Sequence, residues 1–205
     1  MKLIFFTCGF LIALNSYCQD TKVRHIKLSA DSFYLLCRGT KQKVGFIAHK
    51  FNLQDQHSTH IGIGFVENGR LIIYDVNNDT GEKTALTKGT LKTFTASADL
   101  FYWSSWECKS SAKELLKLKR ILHSYQARKI VFDMDFESNN NKLYCSEFCA
   151  EILNILRPQQ FKFQKSQKTL DIIYRNALNR DVLNYYPVDF FQNDVHFKKI
   201  YEVYR

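Results

Sequence analysis

The run "THIGIGFVENGRLIIYDV", residues 59–76, constrains the fold more than any other stretch of the chain. Ile61, Ile63 and Phe65 alternate with His60, Gly62 and Gly64, the pattern of a strand with one buried face. Asn68-Gly69 suits a two-residue turn with positive backbone angles, and "LIIYDV" supplies the returning strand. The predicted hairpin needs further strands to cover its open edges. "SFYLLCR" (32–38) and "DLFYWS" (99–104) are predicted strands, and "KVGFIAH" (43–49) a strand or short helix.

The periodicity then changes. Between Glu107 and Gln126, Leu115, Leu118, Leu122 and Tyr125 fall at helical spacing, with Leu116 and Ile121 beside them. "KIVFDMDF" (129–136) reads as extended. Cys145, Phe148, Cys149, Ile152, Ile155 and Leu156 repeat helically until Arg157-Pro158 stops the run. A helix over 168–179, a loop through Tyr186-Pro187 and a last strand "IYEVY" (200–204) are predicted for the tail. The simplest assembly is an α+β domain, with an antiparallel sheet packed against helices.

The first 18 residues read as a secretory signal: Lys2, an apolar run from Leu3 to Leu14, then small residues Ser16 and Cys18 ahead of cleavage before Gln19. The run is too short to span a bilayer. Lipid attachment at Cys18 and a buried N-terminal strand are the two alternative readings. Without the leader, 187 of 205 residues remain, enough for one domain over 19–205 with its own core. Export implies a periplasmic or extracellular protein. Four cysteines stay: Cys37, Cys108, Cys145 and Cys149. These are too few for a disulfide scaffold, and if Cys145 must remain reduced, Cys37 with Cys108 is the expected bridge. The net charge of +9 suits peripheral contact with an anionic partner such as a membrane surface or wall polymer. The basic residues are scattered and no nucleic-acid-binding motif accompanies them, so nucleic acid is not an expected partner.

Three residues can carry chemistry. His60 begins a strand on a face cleared by Gly62 and Gly64, and glycine within a strand marks a close approach, here expected from a helix bearing a nucleophile. Asp75 lies on the returning strand within cross-strand reach and suits the role of holding an imidazole in one tautomer. A register slip of one would put Tyr74 there instead, and Glu67 and Asn77 are further candidates. Cys145 stands at the start of its helix after "NNNK", where unpaired N–H groups and the helix dipole lower a thiol's pKa and stabilise an oxyanion. Cys149, one turn further in, is a core filler. The bland readings stay open beside these: a capped sheet histidine, a solvent-facing aspartate, a cysteine in packing. His49, His57 and His60 with Asp55 lack the spacing of a zinc site, so no metal or other cofactor is expected. Phosphate-loop, dinucleotide and GxS patterns are absent.

The order "STHIGIGFVENGRLIIYDV", then "FDMDFESNNNKLYCSEFCAEIL", resembles the YiiX/YebB-like family of permuted papain-fold hydrolases, relatives of the NlpC-type cell-wall peptidases. The resemblance covers residues 28–157, and the tail through "YYPVDFF" loosely. It implies a circularly permuted papain-like fold, with the histidine strand ahead of the cysteine helix. It places the base on His60, the nucleophile on Cys145 and the acidic partner on Asp75, where the family more often has glutamate. Tyr144 and Glu147 match the residues flanking the family's cysteine, and Asp133, Asp135 and Phe136 its approach segment. Ala30-Asp31 stands where the family begins with Gly-Asp.

The implied activity is thiol-dependent hydrolysis, a cysteine peptidase or amidase, through a thioester on Cys145, with the Cys145 N–H as one oxyanion donor. The substrate class is a small peptide, most simply a peptidoglycan peptide bond. Hydrolysis or transfer at a lipid-like N-acyl amide or ester is the alternative on the same site. A non-catalytic binding domain of the same fold is the alternative from another class.

Overall fold

The computed structural model describes residues 26–41, 48–78, 84–137 and 140–205. The leader (1–18) and most of the 43–49 segment lie outside them. Six strands form one sheet: β1 (Ser32–Thr40), β2 (His60–Glu67), β3 (Arg70–Val76), β4 (Leu86–Thr90), β5 (Leu100–Lys109) and β10 (Lys198–Tyr204). Their spatial order is β10-β5-β1-β2-β3-β4, with every neighbouring pair antiparallel. Helices α1 (Leu91–Phe94), α2 (Ala112–Gln126), α3 (Cys145–Leu156) and α4 (Ile172–Leu178) complete the described fold with two small strand pairs. Those pairs are β6 (Val131–Phe132) with β7 (Lys142–Leu143), parallel, and β8 (Ser166–Thr169) with β9 (Val182–Tyr185), antiparallel. The α+β assembly with an antiparallel sheet against helices is the one expected.

The β2–β3 hairpin forms as the sequence dictates. Asn68 and Gly69 both take positive φ (50° and 74°), so Glu67 pairs with Arg70 across a two-residue turn. Strand alternation then sorts the side chains onto two faces. Ile61, Ile63, Phe65, Tyr74 and Val76 join the main core with Phe148, Cys149, Ile152 and Leu156 of α3 and Leu118 and Leu122 of α2. The other face carries Tyr34, Leu36, Leu71, Ile73 and Phe94.

Helix α3 is buried along most of its length, which its near-continuous apolar composition requires. It ends where Arg157, preceding Pro158, is forced out of the helical region to φ −132°, ψ 70°. Arg157 fastens this end: its guanidinium meets Glu114 of α2 at 2.8 and 3.2 Å and donates to Lys109 O at 2.6 Å.

Several expectations need correction. Helix α2 starts at Ala112, not Glu107, because Ser111 and Glu114 form a capping box there and 107–109 complete β5. The tail helix over 168–179 divides into β8 and α4, since Asp171 caps a new helix by accepting from the Ile173 and Tyr174 N–H groups. Extended structure over 129–136 is confined to Val131–Phe132.

The Cys37–Cys108 bridge does not form, and both thiols are free and buried. In the β1–β5 register Cys37 faces Ser104 while Cys108 faces Phe33. That offset of four strand positions is roughly 13 Å, well beyond the ~7 Å limit between Cα atoms that a disulfide can span.

Candidate active site

Continuing the β2–β3 register past Ile63↔Tyr74 sets Gly62 opposite Asp75, so Asp75 lies diagonally from His60 on the same face of the sheet. His60 Nε2 and Asp75 Oδ2 are 2.7 Å apart, both residues buried. The second carboxylate oxygen, Oδ1, accepts from Thr87 Oγ1 at 2.5 Å, Thr87 being the β4 partner of Asp75. The carboxylate is therefore fixed at both oxygens. Tyr74 points to the opposite face, into the main core. Glu67 lies at the far end of β2 and binds Lys119 at 3.0 Å. Asp75 is thus the carboxylate that meets the imidazole.

With Nε2 engaged, Nδ1 is the ring nitrogen left for the Cys145 thiol, which lies close enough that each group shifts the other's pKa. The nearby N–H groups of Ile61 and Ser146 also favour a charge on the sulfur. Tyr144 is the N-cap of α3 and makes no side-chain cap bond, so the first-turn N–H groups at Cys145 and the residues after it are not occupied by a capping side chain. This end of the helix is suited to a negative charge.

The electrostatics of the pair follow. Burial alone would raise the Cys145 thiol, but the facing imidazole and the two N–H groups bring it below its ordinary value. Burial and the neighbouring Arg38 would lower His60, but Cys145 and Asp75 outweigh them and raise it. Asp75, which burial would raise, is held down by His60 and Thr87. The two opposed shifts have one cause, the coupling of the thiol to the imidazole, and both favour the charged forms. The other cysteines behave differently. Burial pushes Cys37 and Cys149 far up and Cys108 up to about 11.

Two expectations about the surroundings change. Gly62 and Gly64 do not make room for α3, which packs on the other face. A Cβ on Gly62 would meet Ile73 Cγ2 and Tyr74 O at 3.0 Å and Asp75 Cβ at 3.1 Å; one on Gly64 would meet Ile72 O at 2.6 Å. Strand β3 is what crowds them. A nucleophile is expected to be open to its substrate, but Cys145 is only 8% exposed, and His60 9%. Two surface clefts of about 310 and 410 Å³ run along residues 49–57, the loop entering His60; they are lined chiefly by polar groups such as Gln54, Asp55 and Gln56, and Cys145 lines neither.

Residues not singled out from the sequence support the site. Arg38 faces His60 directly across β1–β2; its Nη1 donates to Phe94 O at 2.7 Å and its guanidinium lies 4.9 Å over the Phe94 ring. The same ring is 5.8 Å from the imidazole. Asp189, in the loosely matched tail, is buried and accepts from the Leu53, Gln54 and Asp55 N–H groups, pinning the loop that leads into β2. No sequence spacing marks either residue, since both act across 22 or more positions.

Asp133 is fully buried, accepting from the Asp135 and Glu137 N–H groups and from Asn140 Nδ2. This turn puts Phe136 at φ 53°, an uncommon conformation for an aromatic residue, with its ring 5.1 Å from Tyr144. Asp135 lies on the surface with Lys142 at 3.4 Å. Tyr144 accepts from the Tyr186 N–H at 2.8 Å, and Glu147 pairs with Lys165 at 2.7 Å. Burial raises the Glu147 carboxyl despite that lysine, and its Oε2 has no partner among the described residues.

No family model matches the chain, and no curated protein matches it. Among solved structures it is similar to the crystal structure of the metalloprotein YiiX from Escherichia coli O157:H7, with TM-score 0.62 and 12% identity over 85% of this chain and 98% of that one. The likeness establishes a YiiX-like fold. The metal belongs to the description of that protein. Here His57 is packed among Tyr102, Tyr204 and Phe101, and Asp55 is occupied by Ser58, Gln192 and the His57 N–H. Among the described residues no three His, Cys, Asp or Glu side chains converge as metal ligands, so the residues described do not fit a metal.

Proposed function

We propose that this protein is an exported thiol-dependent hydrolase of the permuted papain type, with Cys145 as nucleophile, His60 as acid–base and Asp75 as orienter. The observation that carries the reading is the chain of contacts Cys145–His60–Asp75, in which a thiol at a helix start faces an imidazole fixed from behind by a doubly held carboxylate. The YiiX-like fold supports it without assigning an activity.

In the proposed reaction the Cys145 thiolate attacks an amide carbonyl, and the Cys145 N–H receives the oxyanion. Protonated His60 gives its proton to the leaving amine as the C–N bond breaks, leaving a thioester. The now neutral imidazole takes a proton from water, hydroxide attacks the thioester, and the acid product and free thiolate return. Asp75 keeps Nε2 protonated and Nδ1 directed at the sulfur throughout.

A peptide bond of the cell wall is the proposed substrate class. The test is a screen of the mature protein against muropeptides, N-acyl amides and esters, with Cys145→Ala alongside. Turnover lost in that variant supports the reading. Turnover retained in it overturns the thiol mechanism, and tight binding of a muropeptide without turnover would make the protein a binding domain.

A further inference from the structure

Arg38 is a cation that the fold places beside the thiol–imidazole pair and leaves without an anion of its own. It faces His60 directly in the β1–β2 register, and the Thr59 N–H bonds Arg38 O at 2.8 Å, so the strands are paired right up to the imidazole. Residues opposite one another share a face of the sheet. On that face both side chains meet one ring: the guanidinium carbon lies 4.9 Å over Phe94 and the imidazole 5.8 Å from it. Phe94, itself buried, therefore holds the arginine next to His60.

The guanidinium is only partly bonded. Nη1 donates to Phe94 O at 2.7 Å. Nε is buried with no partner, and Nη2 has none among the described residues. These two N–H groups share one edge of the planar fork, the edge that receives a carboxylate through two parallel bonds. Among the described residues no carboxylate fills it. Asp75 is turned elsewhere, with Oδ2 on His60 and Oδ1 on Thr87. A buried donor left unbonded is costly, and an arginine cannot relieve the cost by losing its proton. Nor does the pair itself explain the residue, because the arginine's charge opposes protonation of His60.

We propose that Arg38 selects the substrate: its Nε–Nη2 edge receives a carboxylate carried by the residue that flanks the scissile bond, so the protein acts on acidic peptides. The proposal rests on Cys145 as the nucleophile and narrows the substrate class of that same site. A bound carboxylate completes the unfilled edge of the fork and offsets the arginine's charge. His60 then holds its proton more firmly, and the charged forms of His60 and Cys145 are favoured when an acidic substrate is in place. A neutral substrate leaves the arginine unpaired and gains neither effect.

The experiment compares alkylation of Cys145 by iodoacetate and by iodoacetamide, which differ in carrying a carboxylate or a carboxamide beside the carbon attacked. The ratio of the two rates at one pH cancels the thiolate fraction. Arg38→Met should lower the iodoacetate-to-iodoacetamide ratio at least about threefold. His60 cannot produce that fall: losing Arg38 favours its protonation, and a more positive imidazole draws iodoacetate more strongly. Arg38→Lys, which keeps the charge, should retain most of the ratio. An unchanged ratio in Arg38→Met overturns the proposal. An equal fall in Arg38→Lys would mark the effect as lost packing and overturns it too. With peptides, Arg38→Met should lower kcat/KM for an acidic substrate more than for the same peptide amidated at its carboxylate, and equal losses on both would count against the proposal. No turnover on any peptide would overturn the hydrolase reading, while the alkylation ratio still decides the role of Arg38.

Discussion

His60 and Asp75 are hydrogen-bonded at 2.7 Å although they are not opposite one another in the β2–β3 hairpin. The residue opposite Asp75 is Gly62, and the absence of a side chain there leaves the carboxylate room to lean diagonally toward the imidazole. Gly62→Ala should therefore damage the site specifically. The added methyl meets Tyr74 O, Ile73 Cγ2 and Asp75 Cβ at about 3 Å. Expected are a stability loss of about 1–3 kcal/mol in urea unfolding and a Cys145 alkylation rate well below the wild type's.

Cys145 should be the thiol that reacts first despite its 8% exposure. Its coupling to His60 favours the thiolate, while burial pushes the Cys37, Cys108 and Cys149 thiols up. Mass mapping after limiting iodoacetamide should find Cys145 modified and the other three unmodified. First modification of Cys149 would return "YCSEFC" to simple packing.

The hairpin, its turn, the cysteine helix and its stop at Arg157-Pro158 were all legible in the sequence, because each rests on local periodicity or backbone chemistry. Position also separated Cys145 from Cys149. What could not be read was set by register and by long-range contacts. Asp75 was preferred to Tyr74 from the sequence, but the choice hung on the two-residue turn, which one more residue would have reversed. Arg38 and Asp189 act through strand pairing and loop pinning that no spacing announces. The glycines were rightly taken as a sign of close approach, yet the approaching element is the neighbouring strand. The tail was misread because Asp171, a helix-starting residue, interrupts what looked like one continuous helix.

Removing the hydrogen bond behind the imidazole should move the pH dependence in a defined direction. Asp75 helps raise the pKa of His60. In the ion-pair form, activity appears as Cys145 deprotonates at low pH and disappears as His60 loses its proton at high pH. Asp75→Asn should therefore shift the alkaline limb toward acid and reduce kcat, while Thr87→Val, which leaves the carboxylate charge in place, should shift it less. A profile unchanged in Asp75→Asn would remove Asp75 from the site.

Arg38 acts with the opposite sign, because its charge opposes protonation of His60. Arg38→Met should move the alkaline limb upward. It also removes the bond to Phe94 O, so the Phe94 ring should pack less firmly on the imidazole. A shift in the same direction as Asp75→Asn would contradict this role.

The central claim is that Cys145 and His60 form one coupled ion pair. The most direct measurement is the rate of Cys145 alkylation as a function of pH in the wild type and in His60→Ala. In the wild type the rate should rise at lower pH than in the variant, since the imidazole holds the Cys145 thiol below its ordinary value. In His60→Ala only the burial that raises the thiol and the weaker N–H contacts remain, so the rate should be low at neutral pH and rise only in alkali. Superimposable profiles, both rising above pH 9, would contradict the pairing and with it the proposed hydrolase.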